Sequence, residues 1–458
     1  MPSAAPTWDH RSAAPGPHDP AVADSFAARP WWRRGVPLAM ALAAAAVLFW
    51  LTTERLLVDR RPILIGILHS HAGPLAASER SMMDAVVLAV EQINQAGGLL
   101  GRPVRCVTAD GGDDGQALAR RAERLIRDER VSVLIGCGTS SDRKNVLPVV
   151  ENSGHILLHP RSSEGLEHSP AVVYTGAVAN QQVTPAVQWC HDALAARRYL
   201  LVGSDDVWPR CVNAIASDQI RGVGDEVVGE VFLPPGSVAV DDAVHRVVDL
   251  HPDVVLCSLA GDAAAAFFAR LRAAGIRPER TPVVALALSE DDLKRLDISD
   301  VTGHYAAASY FQSIERAENL AFVRGFKARF GEGRATAADI AAAYDSVRLW
   351  AQAVQEARTT DTRQVREALR HQSRDAPAGI IAVDPATQHI WRPTFIGRVR
   401  GDGQFEVVWS SRTAVRPVPF PLSRPRSAWE RFVDDLHRDW GGAWSRPLAD
   451  GPRGGRPR

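Results

Sequence analysis

The stretch ILIGILHSHAGPLAASERSMMDAVVLAVEQINQAGG, residues 63–98, contains the unit from which most of the chain is built. Its opening, Ile63 to Leu68, is a continuous apolar run, the pattern of a strand buried on both faces. A loop through Gly73 and Pro74 follows. From about Ser78 to Ala96, Met83, Val86, Val87, Val90 and Ile93 recur at helical spacing, and Gly97-Gly98 stops the helix. The unit then repeats. VRCVTAD (104–110) leads into a predicted helix near 116–129, and VSVLIGC (131–137) into one starting near Ser140. HILLHP, AVVYTG, YLLVGSD, EVVGEVF, DVVLCSLAG and TPVVALAL continue the series. Strands alternating with helices predict an α/β protein with parallel sheets covered on both faces. Such sheets bind ligands beyond the carboxyl ends of their strands, so function is expected in the loops that follow each apolar run.

The rhythm changes at both ends. Two long helices (about 315–330 and 336–357) and a third near 361–371 precede short strands at IIAVD, FIGRVR and FEVVWSS, the last two joined by the hairpin turn Gly401-Asp402-Gly403. After Arg412 the chain is rich in Pro, Arg and Trp and is expected to wrap or fray. Ahead of the first strand, residues 35–53 are uncharged and apolar, just long enough to cross a bilayer core of about 30 Å. Arg29, Trp31, Trp32, Arg33 and Arg34 precede them, a basic and aromatic flank that suits the cytoplasmic face. We read an uncleaved signal anchor behind a disordered tail, residues 1–34, with the body of the chain outside the inner membrane.

The 458 residues carry 53 basic and 53 acidic side chains, but the balance is uneven along the chain. Residues 412–458 are net +5, whereas residues 54–411, with 39 basic and 45 acidic side chains, are net −6. An acidic body excludes the basic surface that phosphate backbones require, so no nucleic-acid partner is expected. Five scattered cysteines exclude a disulfide scaffold and a Cys-x-x-Cys site. Ser141-Asp142-Arg143-Lys144 matches Ser-x-x-Lys but lacks its companion elements, and no nucleophile elbow, zinc-protease helix or P-loop occurs. The Asp110–Gly115 run lacks the glutamate that a calcium loop needs, and His69 and His71 are a weak metal pair. No enzyme activity, cofactor or metal is expected.

What remains is a set of polar loops at strand ends. Gly138-Thr139-Ser140-Ser141 follows VLIGC directly, and a hydroxyl there caps a helix or meets a ligand carbonyl. Asp262, after CSLAG, could cap a helix or accept from a ligand amide.

These loops carry a resemblance. IGILHSHAG, AVEQINQAGGLLGRPV, LIGCGTSSDRKNVLPVVE, YTGAVANQQVTPAVQW, VGSDDVWPR, LAGDAAAAFF, GHYAAASYFQSIERAENLAFVRGFKARFG, AAAYDSVRLWAQAV and RPVPFP run in order through residues 62–423. Together they resemble the urea and short-chain amide substrate-binding proteins of ABC transporters. These are a branch of the type I periplasmic binding fold that includes the amide sensor of amidase operons. The resemblance implies two doubly wound lobes with three hinge crossings: lobe 1 over 61–177 completed by 304–372, and lobe 2 over 178–303 completed by 373–411, with 412–458 as a tail. It implies a receptor for a small polar ligand, whether urea, an amide or an amino-acid-like molecule, that serves an ABC permease and ATPase or else a signalling partner. By position, Ser140 would bond the ligand carbonyl and Asp262 its amide nitrogen, with Gly138, Thr139, His159, Arg161, Asp206 and Trp208 in the pocket. Relatives commonly carry an aromatic where this chain has Gly138, and tyrosines near His159–Ser163 and at Asp206. Those departures enlarge or polarise the site. Arg161 and Asp206 are expected to face each other across the cleft, selecting a larger or charged ligand or pairing as a closing latch.

Overall fold

The computed structural model describes residues 39–47, 61–69, 75–110 and 115–447. Residues 39–47 are helical and exposed and belong to a unit, residues 1–59, separate from the body. Among the described residues no helix is long and apolar enough to cross a membrane. The rest of the predicted anchor, the tail before it and residues 448–458 lie outside the described residues.

The first sheet is all parallel, in the order β2-β1-β3-β4-β5, formed by β1 (Ile63–His69), β2 (Val104–Asp110), β3 (Val133–Gly136), β4 (Leu157–His159) and β5 (Val172–Tyr174). Its two faces are covered by α1 (Ala76–Gln95), α2 (Gly115–Arg127) and α3 (Ser140–Ser153), together with helices from much later in the chain. In β1, Ile63, Ile65 and Ile67 pack on the α1 side while Leu68 packs with Leu125 and Val146 on the other, which is why the run has no polar face. In α1 the predicted stripe is displaced. Val86, Val90 and Ile93 are buried, but Met82, Ala85 and Ala89 complete the buried face and Met83 and Val87 sit at its edge.

The second sheet has seven strands in the order β15-β14-β10-β9-β8-β6-β7. β6 (Arg198–Ser204), β7 (Glu226–Leu233), β8 (Val254–Cys257), β9 (Val283–Ala285) and β10 (Tyr305–Ala308) are parallel. β14 (Phe395–Val399) and β15 (Phe405–Ser410), reached after a small antiparallel sheet of β11 (Ser373–Ala376), β12 (Gly379–Val383) and β13 (Ile390–Trp391), extend it as an antiparallel hairpin. One face is covered by α4 (Val183–Ala193) and α5 (Val207–Gly222), the other by α6 (Asp241–Leu250) and α7 (Gly261–Ala273).

The sheets differ from the predicted lobe boundaries in two places. β10 pairs with β9, so residues 305–308 belong to the second sheet and not the first lobe. After the short α8 (Glu290–Leu293) and α9 (Ile298–Val301), the helices α10 (Ala317–Phe330), α11 (Ala338–Ala357) and α12 (Thr362–Leu369) return to the first lobe. There Ala376, Ile381, Val383 and Ile390 join the core around Trp350, so β11–β13 also belong to the first lobe, not the second. The chain therefore crosses between sheets three times, near 175–182, 309–316 and 392–394.

Buried amides tie these crossings together. Gln181 Nε2 donates to the Ile390 and Val415 carbonyls, and Gln182 Nε2 to those of Leu286 and Ala307, each at 2.7–2.8 Å. Thr394 Oγ1 donates to the Gln181 carbonyl at 2.6 Å, and Arg392 to Ser309 Oγ at 2.9 Å.

Up to residue 447 the Pro/Arg/Trp-rich segment does not fray. It forms α13 (Arg426–Asp439), which seats Trp429, with no exposed surface, among Ile215, Val212 and Val433 on the second lobe. Trp429 Nε1 donates to the Pro421 carbonyl, and Arg424 stacks on the ring while gripping both oxygens of Asp218 at 2.7 Å. Trp429→Ala is expected to destabilise the body by about 3–5 kcal/mol in denaturant titration. A dispensable tail would give no change.

Candidate functional site

β3 ends in a forced turn. Gly136 has φ +144° and so little room that a Cβ there would collide with the Leu68 backbone, and buried Cys137 takes φ +70°. This turn lifts Gly138, Thr139 and Ser140 onto the rim of the first sheet at the start of α3. A side chain at Gly138 would run into the Glu79 carboxylate, which lies 3.5 Å from His69 Nδ1. The space beside Gly138 is filled by this buried acid.

A cavity of about 130 Å³ lies between the carboxyl ends of the two sheets. The first lobe contributes Ser78, Gly138, Thr139, Ser140, Arg161, Ser162 and Asp339; the second contributes Ser204, Asp206, Trp208, Ser258 and the loop Leu286–Asp292; the crossings add Gln182 and Tyr310. Ser81 Oγ donates across the lobes to Asp291 at 3.1 Å, so the cleft is narrowed on that side.

The structure thus brings together Gly138, Thr139, Ser140, Arg161, Asp206 and Trp208. It does not bring His159 or Asp262 to the cavity wall. His159 has no exposed surface; Nδ1 contacts the Gly136 carbonyl and Nε2 faces Arg143, and burial with that neighbouring cation drives its pKa well down. Asp262 is exposed on the first turn of α7, whose cap position is Ala260.

The hydroxyls of Thr139 and Ser140 are turned inward. Thr139 Oγ1 accepts from the Asp142 amide and donates to the Asp142 carboxylate, capping α3. Ser140 Oγ donates to Glu164 Oε2 at 2.5 Å and accepts from Arg143. Behind them Arg143 bonds Glu164 and Glu167, Lys144 bonds Glu167, and Tyr174 donates to Glu167. Against the cost of burial, Arg143 and Lys144 hold Glu167 far below the usual carboxylate range. Removing one member of such a network strands its partners and costs about 3–5 kcal/mol.

Arg161 and Asp206 sit on opposite lobes, but no latch joins them. Arg161 bonds Ser78 Oγ at 3.0 Å and lies 3.5 Å from Asp339, both on its own lobe. Asp206 Oδ1 accepts from the Trp208 amide, capping α5, and burial with the carboxylates Glu164 and Asp142 pushes it up to about 7. The loop carrying it is braced from behind by the C-terminal segment. Ser445 bridges Asp206, the Val207 amide donates to the Trp444 carbonyl, and Arg446 bonds Asp205. Trp444 stacks on His437 and faces Lys144 of the first lobe at 4.8 Å. Sequence reasoning missed Ser78, Gln182, Tyr310 and Asp339, which carry no local signal. It could have reached Leu286–Asp292, since that loop follows the predicted strand TPVVALAL.

The periplasmic binding protein domain model matches residues 63–426. The chain belongs to this family. Among solved structures similar to this periplasmic binding protein is an ABC transporter solute-binding protein of Rhodopseudomonas palustris in complex with 4-hydroxybenzoate. It shares 20% identity and a TM-score of 0.71, over 77% of this chain and 98% of that one. A leucine-binding protein of Thermotoga maritima shares 18% identity and a TM-score of 0.68, over 76% and 98%. The branched-chain amino acid protein LivJ of Streptococcus pneumoniae, in complex with isoleucine, shares 19% and 0.66, over 78% and 100%. At these identities the likeness is one of fold: the type I architecture. A curated protein, limonene hydroxylase of Geobacillus stearothermophilus, is 34% identical over 117 residues, and the chain spans about 21% of its length. Among the described residues no cluster of His, Cys, Asp or Glu could hold a metal ion.

Glu290, 1% exposed, accepts from the Gln312 amide and is pushed up to about 8 by burial. The native state keeps to about pH 8 a proton that the unfolded chain releases at about pH 4.3, so this residue costs stability progressively as pH rises from about 4.3 to 8, and by a constant amount above that. Thermal unfolding of Glu290→Gln should match the parent near pH 4 and exceed it by a margin that grows up to about pH 8 and then holds constant.

Proposed function

We propose that this periplasmic binding protein is the solute receptor of an ABC-type uptake system, tethered by its N-terminal segment with both lobes outside the inner membrane. The observation that carries the reading is the cleft between the carboxyl ends of two sheets joined by three crossings. A ligand meets one lobe first, and closure about the crossings buries it against the other. The cavity volume is close to that of an engineered cavity of about 150 Å³ that holds benzene, so the ligand is small. The motif resemblance points to urea, a short-chain amide or an amino-acid-like molecule, delivered to a permease and its ATPase. Asp206, Trp208, Arg161 and the 138–140 turn are its contacts in this reading; His159 and Glu164 hold the wall in place. A sensing role is favoured by one contact, Trp444 on Lys144, because it ties the C-terminal segment to the boundary that closure moves.

Thermal unfolding with small amides, amino acids and aromatic acids tests the receptor reading. A ligand at 100 times its Kd adds about 2.7 kcal/mol. At least one class should raise the Tm, and Trp208→Ala should remove the shift. No response to any of them would overturn the proposal.

A further inference from the structure

The charges that line the cleft are strongly unequal. Among the described residues Arg161 is the one cationic side chain on its wall, against the carboxyls of Asp206, Glu290, Asp291, Asp292 and Asp339. Most of these already have partners. Asp339 faces Arg161, and Asp291 and Asp292 both face Arg295 on α8 and its flank. Glu290 accepts from a backbone amide and, with its pKa near 8, is neutral at physiological pH. Arg161, engaged by Asp339 and Ser78, has its charge already countered within its own lobe.

Asp206 differs from the others. It is half-buried at the cavity wall, and among the described residues no ion pair involves it and no cation figures among the groups that shift its pKa. Capping α5 occupies Oδ1; the other oxygen has only a marginal contact, 3.5 Å from Ser204 Oγ. Without a counter-ion, burial holds this carboxyl partly protonated, its pKa raised to about 7, and a ligand that supplies the missing positive charge favours the ionised form on closure. Two residues on, Trp208 lines the same cavity, and an indole face is the best aromatic partner for a cation. Its indole nitrogen is buried without a hydrogen-bond partner.

Building on the receptor reading, we propose that the cleft selects a ligand bearing a compact cation, an ammonium, amidinium or guanidinium, seated between the free oxygen of Asp206 and the ring of Trp208. A neutral amide of the same shape satisfies the hydrogen bonds but leaves Asp206 without its counter-ion. A simple anion would meet the acidic wall and an arginine that is already paired.

Calorimetry on the full chain with shape-matched pairs tests this: guanidinium against urea, acetamidinium against acetamide, and putrescine against 1,4-butanediol, all at millimolar concentration and constant chloride. The cation of each pair that binds should bind about 10- to 100-fold more tightly. Asp206→Asn, which keeps the helix cap, should erase that preference, whereas Asp241→Asn on the exposed surface of α6 should leave it unchanged. Urea or acetamide binding as tightly as its cation would overturn the charge assignment and uphold the receptor. A preference that survives Asp206→Asn would overturn the role of Asp206. If none of these probes binds, the cation proposal fails, and if the amides, amino acids and aromatic acids also leave the Tm unmoved, the receptor reading fails with it.

Discussion

Two adjacent glutamines hold the molecule in its working form. Gln181 and Gln182 sit where the chain first leaves one sheet for the other, and each carboxamide donates two hydrogen bonds to backbone carbonyls of later segments. Gln181 reaches the start of β13 and the C-terminal extension; Gln182 reaches the residue after β9 and β10 itself. Because buried donors must be satisfied, these four bonds bring the separate crossings to one place, and the cavity lies directly above them.

The two walls of the cavity are polar for different reasons. On the first lobe the polarity is directed inward: Thr139 and Ser140 serve Asp142 and Glu164, and Arg143, Lys144, Glu164 and Glu167 form a buried ionic lattice with Tyr174. That lattice fixes the segment after β4, including Arg161, as a rigid surface. On the second lobe the acidic turn that opens α8 is likewise partnered, Asp291 and Asp292 by Arg295 and Glu290 by the Gln312 amide, so that among the described residues Asp206 is the wall carboxyl with no cationic neighbour. A ligand therefore meets one wall that is already satisfied and one that is not.

The C-terminal segment makes the second wall dependable. α13 buries Trp429, and the residues after it brace the Asp205–Trp208 loop and touch Lys144 across the lobe boundary. Its basic character, which in the sequence only offset the acidic body, is used in specific pairs: Arg424 with Asp218 and Arg446 with Asp205. The sequence left wrapping and fraying both open, and burial of Trp429 makes the segment a structural element.

The sequence by itself determined the alternation of strand and helix, the parallel sheets and the placement of the 138–140 and 206–208 loops at strand ends. Each of these is written locally, in apolar runs of the right length and in glycines that only a sharp turn requires. The tertiary structure decided the rest. β10 looked like part of a lobe 1 return but pairs with β9. His159 stood at a pocket position but turns toward Arg143, and Asp262 stands on the outer side of its helix turn. Glu164 and Asp339, unmarked in the sequence, govern Ser140 and Arg161. Periodicity records whether a residue is buried, and burial is a property of one segment. Which polar group a buried residue meets depends on elements far away in the chain, such as Ser81 and Asp291, 210 residues apart, and only the packed fold sets that choice.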